Sequence, residues 1–339
     1  MTGNSYFKNR IGNRRTILIG VLIFALLLSA CEAKKHKVYR VGILSGADFF
    51  LSVVEGFKSN MTKLGYVENQ NIVYNIIKLN ADPVGEQKAA KRFVKDNVDL
   101  IFSVPTEPSV AAQTATAEKN IPVVFAYAGI EGCDLVKSVR EPGGNITGVR
   151  FPGPDIIVKR LEILLDLAPR VKRVWIGYDK NYPNTKPALE ALRPVALSRK
   201  VTLVEVPATT IIELEMDLAM RAKSSDLGID AIILMPDTFN HSPAGWTVIK
   251  NFAVKYKIPL AGSFLYTVEQ GAIFGNANDL FKVGELAAPL ADKIFKGIPP
   301  NKIPVVTPEQ DLWINYKVSQ ELGLTVPDGW LNMATKIIR

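Results

Sequence analysis

One compound segment occurs twice in this chain. Val98-Asp99-Leu100-Ile101-Phe102-Ser103-Val104-Pro105-Thr106 leads through a helix-like stretch to Ile121-Pro122-Val123. Ile229-Asp230-Ala231-Ile232-Ile233-Leu234-Met235-Pro236-Asp237 leads through another to Ile258-Pro259-Leu260. Each copy is a short continuous apolar run, a proline turn, a helix and an Ile-Pro strand. Runs of this length without polar alternation fit strands buried on both faces, and such strands belong to parallel sheets covered by helices. The duplication predicts two similar lobes.

The surrounding pattern agrees. Strands are expected at 38–44, 71–79, 99–104, 121–126 and 145–150, then at 173–177, 203–206, 230–235, 258–262 and 271–275, with strand-like runs at 303–306 and 312–315. Helical spacing fills the intervals at 51–64, 83–97, 107–119, 155–167, 211–224, 244–256 and 281–295, with a closing helix at 317–322. The helix at 186–199 is expected to break near Pro194. The fold class is therefore α/β, two doubly wound parallel-sheet lobes joined by a hinge. The expected division is 38–148 plus 268–300 for the first lobe and 149–267 plus 301–339 for the second. Crossings would lie near Gly148, Glu269 and Pro300.

The N-terminus reads as an address. Lys8, Arg10, Arg14 and Arg15 precede an uncharged run, Ile17 to Leu28. That run is too short for a stable membrane span, which takes about 20 residues, and it fits the apolar region of a secretory signal peptide. Leu28-Ser29-Ala30-Cys31 follows and resembles the bacterial lipobox. The resemblance implies a signal peptide over 1–30, lipidation (palmitate) of Cys31 as the mature N-terminus, and a charged tether over 31–37. The protein would then sit outside the cytoplasm, in the periplasm or at the cell surface, as a membrane-anchored lipoprotein.

Composition narrows the function. Hydrophobic residues are 47 % and charged residues 22 % of the chain, which disfavours disorder and coiled coil. The formal net charge is +8, and half of it comes from the four bases of the leader. A weakly basic body gives no argument for nucleic acid. No catalytic constellation is legible, and the expectation is a protein that is not an enzyme. Two histidines, His36 and His241, and a second cysteine, Cys133, cannot build an ordinary metal site. No phosphate loop or dinucleotide fingerprint is present, so no cofactor and no metal are expected. Asp48 with Glu55, and Asp237 with Glu269, read as solvated or ligand-bonding acids.

Ligands of open parallel sheets bind beyond the carboxyl ends of the strands. The expected polar contacts there are Ser45, Asp48, Thr106, Ser109, Asp179, Asp237, Thr238 and Asn276. The expected aromatic contacts are Tyr127, Phe239 and Phe264, with core packing the alternative for each. Helix N-termini just after these loops can hold a carboxylate.

Further stretches carry a family resemblance: Leu64-Gly65-Tyr66-Val67-Glu68, Glu141-Pro142-Gly143-Gly144-Asn145-Ile146-Thr147-Gly148-Val149, Lys257-Ile258-Pro259-Leu260-Ala261-Gly262 and Glu269-Gln270-Gly271-Ala272. With these the chain resembles the substrate-binding lipoproteins of ABC importers, in the family of tryptophan- and tyrosine-binding members with the type I periplasmic-binding fold. The resemblance implies capture of a small solute between the lobes by hinge motion. It also implies docking of a monomer on an ABC permease subunit. The alternative is a ligand-sensing or partner-presenting lipoprotein not coupled to transport. The departures fall at ligand loops. Tyr127-Ala128-Gly129, Gly262-Ser263-Phe264 and Gly275-Asn276-Ala277 stand where the family commonly carries acids. An ammonium without a counter-charge is costly to bury. The loops therefore favour an aromatic, amide, sugar-like or anionic solute over an amino acid.

The anchor is tested by labelled palmitate. Wild type is expected to incorporate it and Cys31→Ala to lose it. Equal labelling of both would end the lipoprotein assignment.

Overall fold

The computed structural model describes residues 37–80 and 82–339. The signal segment and Cys31 lie outside the described residues. The strands are β1 (Tyr39–Ser45), β2 (Ile72–Lys78), β3 (Leu100–Val104), β4 (Val123–Ala128), β5 (Ile146–Arg150), β6 (Arg173–Asp179), β7 (Thr202–Ala208), β8 (Ala231–Ile233), β9 (Leu260–Gly262), β10 (Phe274–Ala277), β11 (Asp311–Asn315) and β12 (Lys336–Ile338). The helices are α1 (Leu51–Lys63), α2 (Pro83–Lys95), α3 (Thr106–Thr116), α4 (Gly153–Leu167), α5 (Thr185–Ser198), α6 (Ile211–Arg221), α7 (Thr238–His241), α8 (Pro243–Tyr256), α9 (Leu265–Glu269), α10 (Leu280–Phe295), α11 (Tyr316–Glu321) and α12 (Asp328–Met333).

Two sheets form. The first has the order β2-β1-β3-β4-β5 and is parallel throughout. The second has the order β12-β11-β10-β9-β8-β6-β7. Setting β11 and β12 aside, β6 to β10 repeat the arrangement of β1 to β5 strand for strand. The duplicated segment is β3-α3-β4 in one lobe and β8 through β9 in the other.

Alternation along each strand sends side chains to opposite faces. In the first sheet Val41, Ile43, Leu100, Phe102 and Val104 face one core, while Leu44 and Ile101 face the other. In the second, Val174, Ile176, Ala231 and Ile233 face one core, while Trp175 and Ile232 face the other. Helices cover both faces, which is why these runs are apolar without interruption. Helix starts are set by side chains: Asp82 accepts from Val84 N, Ser242 from Gly245 N, and Asp279 from Phe281 N and Lys282 N.

The chain crosses between lobes after β5, between β10 and α10, and again before β11. Two of these positions correct the expected division. Residues 268–279 belong with the second sheet, because β10 pairs with β9 and β11. Ile303 packs in the core of the first lobe and Val306 bridges to Val149, so residues 301–306 belong there. The run at 303–306 contributes only that bridge. A second difference is one antiparallel pair, β10 with β11. The chain leaves the second lobe at the carboxyl end of β10 and re-enters beside that end, with Asp311 opposite Ala277. It can only run back. α5 also continues through Pro194 without a break. Pro194 and Glu190 are exposed, so water can serve the carbonyl that the proline leaves unpaired.

α10 closes the first lobe by packing on α1 at backbone distance. A Cβ at Gly284 would lie 1.9 Å from the Val53 carbonyl oxygen, and one at Gly56 would lie 2.0 Å from that of Phe281. Neither neighbour is a side chain that could turn away. Gly284→Ala is therefore expected to lower stability by about 1–3 kcal/mol, read as a shift of the urea midpoint. An unchanged midpoint would refute the close approach.

Candidate functional site

A cavity of about 400 Å³ opens where the carboxyl ends of both sheets converge. Its walls come from the segments after β1, β3, β4 and β5 on one side and after β6, β8, β9 and β10 on the other. This is the position that parallel-sheet topology dictates.

Aromatic rings dominate it. Tyr127 sits at the end of β4, where the register with β5 shifts, and it adopts φ 54°. Left-handed backbone is unusual for a bulky side chain, and with the bulge it turns the ring into the cavity. The ring lies 4.8 Å from Phe151 and 5.9 Å from Phe50. Phe264, after β9, stands 4.9 Å from Phe49 and 6.5 Å from Tyr127, so rings of the two lobes meet. Tyr182 and His241 complete this wall. Gly129 lets the lobes approach, since a Cβ there would fall 2.1 Å from Asn184 Oδ1.

Of the residues expected from sequence, Tyr127, Asp237, Thr238 and Phe264 line the cavity. The others are placed behind or beside it. Thr106 Oγ1 accepts from Gly129 N at 2.9 Å. Ser109 donates to the Pro105 carbonyl and accepts from Ser103. Ser45 donates to Ala47 O. Asp48 is exposed and paired with Lys78 at 3.1 Å. Asp179 Oδ1 accepts from Asn181 N, and its own N–H donates to Asp237 Oδ2. Phe239 packs against the second lobe's core. Asn276 holds an arginine. These positions shape the site rather than face it.

That arginine, Arg160 of α4, is only 2 % exposed and lines the cavity. Its Nε donates to Asn276 Oδ1 at 2.9 Å and one Nη to Asn276 O at 2.8 Å; the other Nη donates to Leu234 O. Three of five N–H groups are thereby used, all on neutral acceptors, and no acid pairs with it among the described residues. Burial pushes its pKa down to about 10, so it stays charged at neutral pH.

Glu86 of α2 and Glu107 of α3 also line the cavity. Neither bonds to another described side chain. Burial, then the neighbouring Glu107 and Asp82, pushes Glu86 up to about 7. Burial likewise raises Glu107. Asp237 is held differently. It accepts from Asn240 N, Asn240 Nδ2 and Asp179 N, yet burial still pushes it to about 6. The family acids missing from the loops are thus not the whole supply of negative charge. Sequence reading passed over these groups because Glu86 lies in a stretch that reads as an exposed helix, and Arg160 follows Lys159 in an amphipathic helix where bases ordinarily face solvent. Glu107 did carry a signal, being the residue after the duplicated proline turn's Thr106. No three His, Cys, Asp or Glu side chains gather to hold a metal among the described residues.

His241 Nδ1 lies 3.4 Å from both Ser263 Oγ and Tyr266 Oη, and its ring stands 5.3 Å from Phe264. Burial, with Arg160 adding repulsion, moves its pKa from 6.5 to about 3. The unfolded chain takes up this proton near pH 6.5 and the folded one only near 3. Stability that is whole above pH 6.5 is therefore lost as pH falls toward 3. His241→Gln is expected to flatten that part of the profile of unfolding midpoint against pH. Parallel profiles for variant and wild type would exclude a buried neutral imidazole.

Residues 41–338 match the family described as ABC transporter substrate binding protein. The chain is 29 % identical over 296 residues to a tyrosine-binding protein of Clostridioides difficile, covering 86 % of this chain and 83 % of that one. Among solved structures it is similar to an ABC domain in complex with L-Trp from Streptococcus pneumonia, with TM-score 0.77, 24 % identity, and 89 % and 100 % of the two chains covered. It is also similar to the ligand-free, open structure of a substrate binding protein with adhesive properties from Clostridium difficile, with TM-score 0.69, 25 % identity, and 89 % and 99 % covered. The match spans both lobes and the cavity between them, and the chain belongs to the ABC transporter substrate-binding protein family.

Proposed function

We propose that the cavity takes one small aromatic solute bearing a carboxylate, of the size and kind of tyrosine or tryptophan. The observation that supports this best is Arg160, buried with two N–H groups left over beside a wall of aromatic rings. A buried guanidinium without a counter-ion favours an anionic partner. The rings of Tyr127, Phe264, Phe49 and Phe50 offer the stacking and edge contacts that an aromatic body needs. The Clostridioides difficile relative, a tyrosine-binding protein, and the L-Trp complex point to the same class.

The three crossings between lobes act as the hinge in this reading, and the lobes close on the solute. The closed monomer docks on a membrane permease, as the family name implies, and delivers the solute without altering it. The lipidated Cys31 keeps the protein outside the cytoplasm at a membrane surface.

The test is a thermal-shift screen of the soluble chain from Lys34 onward against aromatic amino acids and aromatic acids. A solute at a hundred times its dissociation constant adds about 2.7 kcal/mol and raises the midpoint by several degrees. Tyr127→Ala is expected to weaken a hit at least about tenfold, roughly 1.4 kcal/mol, with Tyr127→Phe close to wild type. Unchanged affinity in Tyr127→Ala and Asp237→Ala together would overturn the site.

A further inference from the structure

The acid pair has a consequence for ligand chemistry, and the inference rests on the solute-binding reading above. Glu86 and Glu107 rise from the first turns of two adjacent helices, α2 and α3, and both border the cavity. Glu86 is 4 % exposed. Neither carboxylate has a hydrogen bond to another described residue or a basic partner. The charges acting on Glu86 are Glu107 from α3 and Asp82 from its own helix cap, both acidic. On β1, which also packs on α2, Arg40 is committed elsewhere, to Asp96 O and Asn97 O at the far end of that helix. Lys88 and Lys91 of α2 are exposed. Glu107 in turn faces Tyr182 and Cys133, whose ionisation it opposes. Arg160 lines the same cavity, but its charge acts on Tyr127 and His241. The cavity thus has a cationic place and a separate acidic place.

We infer that one of Glu86 and Glu107 is protonated in the empty site, that the two acids receive a cationic amine of the solute, and that the proton is released on capture. The balance is simple. The O–H bond of the protonated carboxyl breaks and its proton goes to the buffer. The ammonium, arriving with its own charge, donates N–H bonds to the two carboxylates. Two unpartnered acids at this depth cannot both ionise cheaply without such a cation. The burial that raises both groups points the same way. The solute class is an aromatic primary amine, with or without the carboxylate that Arg160 would hold.

The experiment uses the full chain in detergent micelles and has two readouts. The first needs no ligand: the infrared band of protonated carboxyl groups, followed against pH in wild type, Glu86→Gln and Glu107→Gln. A component that persists to near-neutral pH in wild type and is lost in either variant is expected. Its absence from wild type would overturn the retained proton and leave solute binding standing. The second is calorimetry in two buffers of different ionisation enthalpy, with tyramine, L-tyrosine and 3-(4-hydroxyphenyl)propionate as probes. Tyramine and tyrosine are expected to release close to one proton below neutrality and to bind about tenfold tighter per pH unit there. The amine-free acid should bind at least tenfold more weakly than tyrosine. Tyramine bound without proton release, or the amine-free acid bound as tightly as tyrosine, would overturn the amine site. If no probe binds while the carboxyl band is present, the aromatic-solute reading falls and the amine site with it.

Discussion

The site is organised around one buried cation. Arg160 reaches from α4 to the ends of β8 and β10, bonding Leu234 O and both the side chain and the backbone of Asn276. Those bonds tie a helix to two strands whose carboxyl ends form the cavity wall. Losing the guanidinium would leave three buried acceptors unserved, each a penalty of roughly 1–3 kcal/mol. Burial keeps His241 neutral, with this charge adding repulsion, and the same charge favours the ionised form of Tyr127 against burial.

The first lobe supplies the opposite character. Its contribution is aromatic area and two acids, with no base paired to them among the described residues. A cavity with an arginine at one place, carboxyl groups at another and rings between is polarised before any solute arrives. Such preorganisation selects by charge arrangement as well as by shape. Asp237 shows the contrast within one chemical type. Three N–H groups hold it, two from Asn240 of α7 and one from Asp179 of β6, so it caps a helix and ties it to a strand, whereas Glu86 and Glu107 have no such duty.

Much of the architecture was legible because burial on both faces leaves a plain mark. The strands DLIFSV and DAIILM can be little else than sheet centre, and their shared proline turns announced the second lobe. The lobe boundary was misplaced because it depends on β10 pairing with β9 and β11 and on Ile303 and Val306 returning to the first lobe, contacts between segments far apart in sequence. The site was half legible for a related reason. Loop position after a strand finds Tyr127, Asp237, Thr238 and Phe264. It also selects Thr106 and Ser109, which serve the backbone, and Asn276, which holds Arg160. Glu86 and Arg160 lie inside helices, where only tertiary packing turns a charged side chain inward.

The late arrival of α10 sets the order in which this molecule can be completed. The first lobe's strands are made early, but the helix that covers α1 follows only after β6 to β10 have been synthesised. Contacts this distant form slowly, because the intervening chain must first be ordered or looped out. A nascent chain therefore carries an uncovered apolar face through most of its synthesis. The same order means that cutting the gene between the lobes would give two incomplete pieces rather than two domains.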